Sequence, residues 1–248
     1  MLSKFKPEFT REEKYLIASL NTPQKIAKYI HEELKYDNQD DYHEHLLLDR
    51  SFRRVVRDKK AHCLDGAIFS AAVMREHGHT PYIVCLDAFR DHSHNIMVYR
   101  DKNNGKIGSL ALSRDQNLWE RKPAYKNLYE LILSYYHVYT EYPENMDSIK
   151  SSEMNDVFFT LRGYSQLIDL NDYLKKDIDW ITGEKSLDII ENDFYNVTYK
   201  TIFPVGNSIY YKSPDGIKTK WTKKPKDALF ELPKNKQNKK TKIIHYSP

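Results

Sequence analysis

Cys63 lies in Ala61-His62-Cys63-Leu64-Asp65-Gly66-Ala67, at the head of a run with helical spacing. A thiol in a helix's first turn sits among unpaired backbone N–H groups and at the positive end of the dipole, and both favour a thiolate. The same N–H groups can donate to the oxyanion formed when sulfur attacks a carbonyl. Such a thiol needs a proton acceptor, and His94 opens an apolar run of strand length further along. Cysteine on a helix with histidine on a nearby strand is the working geometry of thiol acyl transfer. His94 would take the thiol proton and return it to the leaving amine. The other cysteine, Cys85, lies inside an apolar strand run and reads as a small buried side chain.

These two residues need elements to carry them. Leu64, Ala67, Ile68, Ala71 and Met74 form one stripe, so a helix is expected over Cys63 to His77, with Gly78 as its terminating glycine. The small residues Ala67, Ser70, Ala71 and Ala72 suit a helix buried on several sides. Pro81 to Leu86, His94 to Tyr99 and Lys106 to Ser113 read as strands. Asn103-Asn104-Gly105 turns the last two into an antiparallel hairpin. Helices are expected from about Thr10 to Leu34, broken at Thr22-Pro23, then over Leu46 to Arg57, Ala124 to Tyr142 and Ser186 to Glu191. Val197 to Trp221 reads as strands around the turn Ser213-Pro214-Asp215-Gly216.

Histidines offer a second chemistry. His92-Ser93-His94 on an extended segment aims two rings to one face, and Asp91, His77 and His79 are close in sequence. A metal-dependent hydrolase using His92 and His94 is therefore an alternative. HExxH is absent, and His43 and His45 fall in an acidic loop. No calcium-type ligand loop is visible, and no cofactor is expected.

The chain has 248 residues, 40% hydrophobic and 30% charged, so it can bury a core without disulfide staples. Eight glycines, with neither GxGxxG nor GxxxxGK[ST], argue against a phosphate cradle. No apolar run reaches the roughly 18 residues of a membrane span. The start, Met1 to Leu16, has no apolar signal core, so a cytoplasmic protein with reduced thiols is expected. The net charge of +4 is uneven: Lys218 to Pro248 carries ten Lys against Asp227 and Glu231. That tail reads as solvated, with nucleic acid as a weaker candidate partner. Tyrosine clusters at Tyr125–Tyr142 and Tyr195–Tyr211 read chiefly as packing, with a peptide groove as the sharper reading.

Ala61 to Ala67, Met74 to Pro81, Asp91 to Met97 and Gly105 to Ser113 together resemble the transglutaminase-like superfamily. This is the papain-like thiol fold of transglutaminases, peptide N-glycanases and related bacterial hydrolases. Leu118 to Tyr125 and Leu131 to Tyr136 resemble an uncharacterised bacterial branch. The likeness covers about residues 50–140, with an echo at Leu161 to Ser165. It implies an α+β core with a Cys-bearing helix packed on an antiparallel sheet, preceded by a helical N-terminal arm. The expected division is 1–145 core with N-terminal helices, 146–233 accessory mixed region and 234–248 basic tail. In that superfamily an acid on the next strand orients the histidine. Its position falls near Ala111, where Ser109, Ala111 and Ser113 share a face and none is a carboxylate. Ser113 and Asp115 are the candidates left to hold the ring. The implied activity is a thiol hydrolase or acyltransferase acting on an amide or ester of a peptide, protein or other substrate. The alternative is a catalytically silent binding member of the same fold.

Overall fold

The computed structural model describes residues 5–37, 49–88, 93–136, 139–141, 156–159, 161–202 and 209–212. Cap chemistry sets the N-terminal helices. In α1 (Arg11–Ser19), Thr10 and Glu13 exchange side-chain and backbone hydrogen bonds, closing a capping box. Helix α2 (Pro23–Glu32) starts where Thr22 caps and Pro23 supplies a pre-set first residue. A short parallel pair, β1 (Lys35–Tyr36) and β2 (Lys60–Ala61), brackets α3 (Phe52–Asp58). Ser51 caps α3, so it begins later than the sequence suggests; residues 46–48 lie outside the described residues.

Helix α4 (Cys63–Glu76) is the centre of the molecule. Every residue from Leu64 to Arg75 is buried, as its small side chains require, and Gly78 takes the left-handed conformation after its end. Gly66 allows the close approach of Leu112: a Cβ there would lie 2.6 Å from the Leu112 Cβ.

Strands β3 (Tyr82–Ala88), β4 (His94–Arg100) and β5 (Ile107–Leu110) pair antiparallel, forming the expected hairpin. Next in the sheet is β6 (Arg121–Tyr125). A single helix over Ala124 to Tyr142 is therefore not what forms. Pro123 belongs to β6, an edge strand where a missing N–H is tolerated. Helix α5 (Leu128–Tyr136) starts only after Asn127, whose Oδ1 accepts the Glu130 N–H. Thr140–Glu141 then forms β7, which pairs with β8 (Asp156–Phe159).

The chain after residue 145 adds to both sheets. Strand β9 (Leu161–Ser165) lies against β3, and β10 (Ile168–Asp169) also pairs with β3. After α6 (Asn171–Leu174) and α7 (Asp188–Asn196), β11 (Tyr199–Thr201) pairs with β9. Strand β12 (Ile209–Lys212) pairs with β8 in a second, three-stranded sheet. The large sheet thus runs β11-β9-β3-β4-β5-β6, all antiparallel.

This sheet separates two apolar layers. On one face α1 to α4 pack with Met97, Tyr99, Leu110, Trp180, Ile190 and Phe194. On the other, α5 packs with Val84, Leu86, Ile96, Val98, Leu161 and Tyr164. Strand alternation produces the split: neighbours along β4 enter opposite layers. Trp180, fully buried, donates its indole N–H to the Leu170 carbonyl at 2.7 Å. This is an α+β core in which a Cys-bearing helix packs on an antiparallel sheet. Among the described residues no helix is long and apolar enough to cross a membrane. The turn at 213–216 and the basic tail at 234–248 lie outside the described residues.

Candidate active site

Cys63 is the first residue of α4 and is half-buried. Its helix is started by an unusual cap. His62 Nδ1 lies 3.2 Å from the Leu64 N–H, and the Asp65 carboxylate accepts the His62 N–H at 3.2 Å. Burial alone would raise the Cys63 thiol. Hydrogen bonds with His62 and His94, and the charges of both rings, instead hold it well below an ordinary thiol. Cys85, by contrast, is pushed up to about 11, chiefly by burial in β3. It is the inert cysteine that its strand setting implies.

His94 begins β4, opposite Leu86 of β3. Its Nε2 lies 3.0 Å from the Leu118 carbonyl. A carbonyl only accepts, so Nε2 carries the proton and Nδ1 is left as the basic nitrogen for the thiol. The ring-orienting partner is thus a main-chain oxygen. Ser113 and Asp115 build the turn that presents it: Ser113 Oγ accepts the Asp115 N–H, and Asp115 Oδ1 accepts the Asn117 N–H and side-chain amide. Arg121 clamps the same loop through the Asn117 and Trp119 carbonyls, at 2.6 and 2.9 Å. From the other side, Trp119 stacks on His31 of α2 at 3.7 Å, and its indole N–H donates to the Ser113 carbonyl.

Asn95 was not singled out by its sequence position. Its amide nitrogen lies 3.8 Å from the Cys63 sulfur, a weak donor contact. The residue shares its β4 face with Met97 and Tyr99, towards α4.

Behind Cys63 lies a buried charge network. Asp49 Oδ1 is 2.9 Å from His62 Nε2, and Asp65 Oδ1 is 3.4 Å away. The 2.9 Å contact is an ion-pair distance without hydrogen-bond alignment. Asp65 also receives the Arg50 N–H at 2.6 Å and the Arg50 guanidinium at 3.1 Å. Arg50 reaches Asp37 at 2.6 Å as well. Asp49, His62 and Asp65 offer ligand-type atoms within 4.8 Å of one another. Arg50 already supplies the positive charge there, so the cluster is an ion-pair network rather than a cation site. Asp65 thereby acts as a brace between the helix start and the 49–50 segment. Asp91 and His92 lie outside the described residues.

Two influences on His62 oppose each other. The Leu64 N–H needs Nδ1 unprotonated, whereas two carboxylates and the sulfur favour the imidazolium. Buried charge outweighs one 3.2 Å neutral contact, and the ring is held well above the ordinary histidine value despite its desolvation.

Helix α7 brings a further acid. The Leu187 N–H donates to the Asp49 carbonyl at 3.1 Å, and Ile190 and Phe194 anchor the helix in the core. Glu191 is pushed up to about 7, first by burial, then by the Asp49 charge, with His62 opposing. A carboxyl kept protonated in the folded state but released by the unfolded chain adds stability below about pH 4.5. That contribution is lost as pH rises to about 7. Chemical denaturation at pH 5 and pH 7.5 is therefore expected to show a smaller loss of stability in Glu191→Gln than in the native chain. Equal losses would mean that Glu191 titrates normally.

An α+β core with a thiol at a helix tip and an imidazole on the adjacent sheet is the arrangement expected of the transglutaminase-like, cysteine-protease-like class. A family model described as Vasohibin matches residues 62–157, from the helix that carries Cys63 through the sheet that carries His94. That family is transglutaminase-like and cysteine-protease-like, so the match supports this superfamily and a cysteine-dependent enzyme. No curated protein matches the chain.

Proposed function

We propose that the protein is a thiol-dependent hydrolase or acyltransferase of amide or ester bonds in a peptide or protein, with Cys63 as nucleophile and His94 as general base and acid. The observation that carries this reading is the meeting of the α4 tip with the start of β4, where the Asn95 amide lies 3.8 Å from the Cys63 sulfur and the Leu118 carbonyl fixes the tautomer of the adjacent His94. Sulfur attacks the carbonyl carbon, forming an S–C bond and an oxyanion. Backbone N–H groups in the first turn of α4 and the Asn95 side-chain amide, 3.8 Å from the sulfur, are the candidate donors to that oxygen. His94 returns the proton to the leaving amine or alcohol as the C–N or C–O bond breaks, leaving a thioester. Water, or an amine, then attacks the thioester with His94 as base, releasing an acid or a new amide and restoring the thiol.

His94 Nε2 is engaged by the Leu118 carbonyl, which leaves Nδ1 as its basic nitrogen and supports the thiol reading over a metal hydrolase built on His92 and His94. The substrate's identity is best sought with a generic acyl donor. Incubation with p-nitrophenyl acetate should give a burst of nitrophenolate and an acetyl group on Cys63 in peptide mass spectra. Cys63→Ala should lose both. A burst that survives in Cys63→Ala would overturn the assignment, and no acetyl on Cys63 would favour a silent binding member of the fold.

A further inference from the structure

The Leu118 carbonyl that orients His94 lies in the connection between β5 and β6, so its aim depends on what holds that connection. This carbonyl and the Trp119 N–H belong to one planar peptide group, and whatever fixes Trp119 aims the carbonyl. The Trp119 main chain is held on both sides. Its N–H donates to the Gln116 carbonyl at 3.3 Å, and its carbonyl accepts from the Tyr135 hydroxyl at 3.0 Å and Arg121 at 2.9 Å. Its side chain is held by His31, from the N-terminal arm. The two rings stack with centroids 3.7 Å and planes 19° apart. His31 Nε2 also donates to the Glu120 carboxylate at 2.8 Å. One imidazole thus grips two consecutive residues, Trp119 by its face and Glu120 by its edge. The His31 side chain is 8% exposed, and its Nδ1 is buried with no partner among the described residues. Packing alone does not call for such a ring, since an apolar one would fill the space without an orphaned nitrogen.

We infer that His31 is a positioning residue for the catalytic base: stacked on Trp119 and bonded to Glu120, it fixes the peptide plane whose carbonyl orients His94. This rests on the thiol-enzyme reading and makes α2 part of its machinery. His31 acts through Trp119 and takes no part in proton transfer. Its own helix is firmly seated. Ile26, Ala27 and Ile30 of α2 are buried in the same apolar layer as α4, and Tyr29 stacks on Phe69 of α4 with centroids 5.2 Å apart. The His31–Trp119 stack therefore ties the turn that orients the base to the layer that carries the nucleophile. Without the imidazole, the indole loses the support of one face and the Leu118–Trp119 peptide is freer to swing. A shift of about 1 Å at a group that positions the chemistry can slow a reaction on the order of 10²-fold.

The test uses the full chain and two readouts. One is the rate of Cys63 acetylation by p-nitrophenyl acetate. The other is the His94 imidazole N–H signal in nitrogen–proton correlation NMR spectra, assigned by its disappearance in His94→Gln. His31→Ala is expected to slow acetylation about 10–10²-fold and to broaden or erase that signal. His31→Phe keeps a flat ring on Trp119 and should recover most of the rate. Ile26→Val trims a fully buried side chain elsewhere on α2, so it should lower the urea midpoint and leave both readouts native. A native rate and a native signal in His31→Ala, with native circular dichroism, would overturn the role of His31. Ile26→Val reproducing the losses of His31→Ala in full would also overturn it, because a loosened arm would then explain them. His31→Phe as slow as His31→Ala would remove the stack as the cause. Should the native chain fail to acetylate Cys63 while the His94 signal still depends on His31, the thiol-enzyme reading falls and the positioning of the ring stands. If His31→Ala does not fold, Glu120→Ala frees the edge of the imidazole instead. Slower acetylation and a weaker His94 signal are then expected, and native values of both would overturn the inference.

Discussion

His94→Gln is expected to slow acetylation of Cys63 by p-nitrophenyl acetate about 10²–10⁴-fold, the usual worth of a positioned general acid–base. The ring is nearly buried, with Nε2 on the Leu118 carbonyl, so no solvent base takes its place easily. Gln is a poor base whatever its hydrogen bonds. The loss should fall on the acylation rate and on breakdown of the acyl-enzyme, since His94 serves both steps. Stopped-flow release of nitrophenolate separates them. A change under threefold in both would mean that another group moves the proton.

Asp65→Ala carries the largest expected loss of stability. The native carboxylate is completely buried and accepts from the Arg50 backbone, the Arg50 guanidinium and the His62 backbone. Burial raises its pKa, while the His62 charge and the Arg50 N–H groups pull it back towards ionisation. Truncation strands two backbone donors and removes the partner of a largely buried Arg50. Breaking a buried pair in this way costs about 3–5 kcal/mol. Asp65→Asn keeps an acceptor and the shape, so its loss should be smaller, about 1–3 kcal/mol. Urea unfolding of the two variants measures both values. Equal stabilities for Asp65→Ala and the native chain would show that Arg50 and His62 find other partners.

The parts of this site that sequence reveals are those that local physics encodes. Cys63 before a stripe of small and apolar residues, and Gly78 after it, specify a buried helix with a thiol at its head. Asn103-Asn104-Gly105 specifies the hairpin that carries His94. Where the sequence misleads, long-range packing decides. The Leu- and Tyr-rich run beyond Ala124 has helical composition, yet its first residues are claimed by the sheet edge as β6. The Asn127–Glu130 cap marks the helix start.

The orienting group of His94 had no residue type to betray it, because a main-chain carbonyl looks the same in every sequence. Ser113 and Asp115, the direct partners the sequence suggests, lie one step away and shape the turn beneath Leu118. Asp49, Asn95 and Glu191 reach the site from separate segments, so no spacing rule could gather them around Cys63. His62, immediately before the nucleophile, was the one available signal: a titratable residue in the cap position of a buried helix.

The most direct measurement is the ratio of iodoacetamide labelling rates at Cys63 and Cys85 in the native chain at pH 7. A thiol pushed up to about 11 is roughly 10⁻⁴ ionised there, whereas one held well below the ordinary thiol value carries a far larger thiolate fraction. Lower intrinsic nucleophilicity of the acidic thiol offsets part of that difference. Cys63 should still react at least about 10²-fold faster than Cys85. Comparable, slow labelling of the two cysteines would contradict a thiolate at the tip of α4.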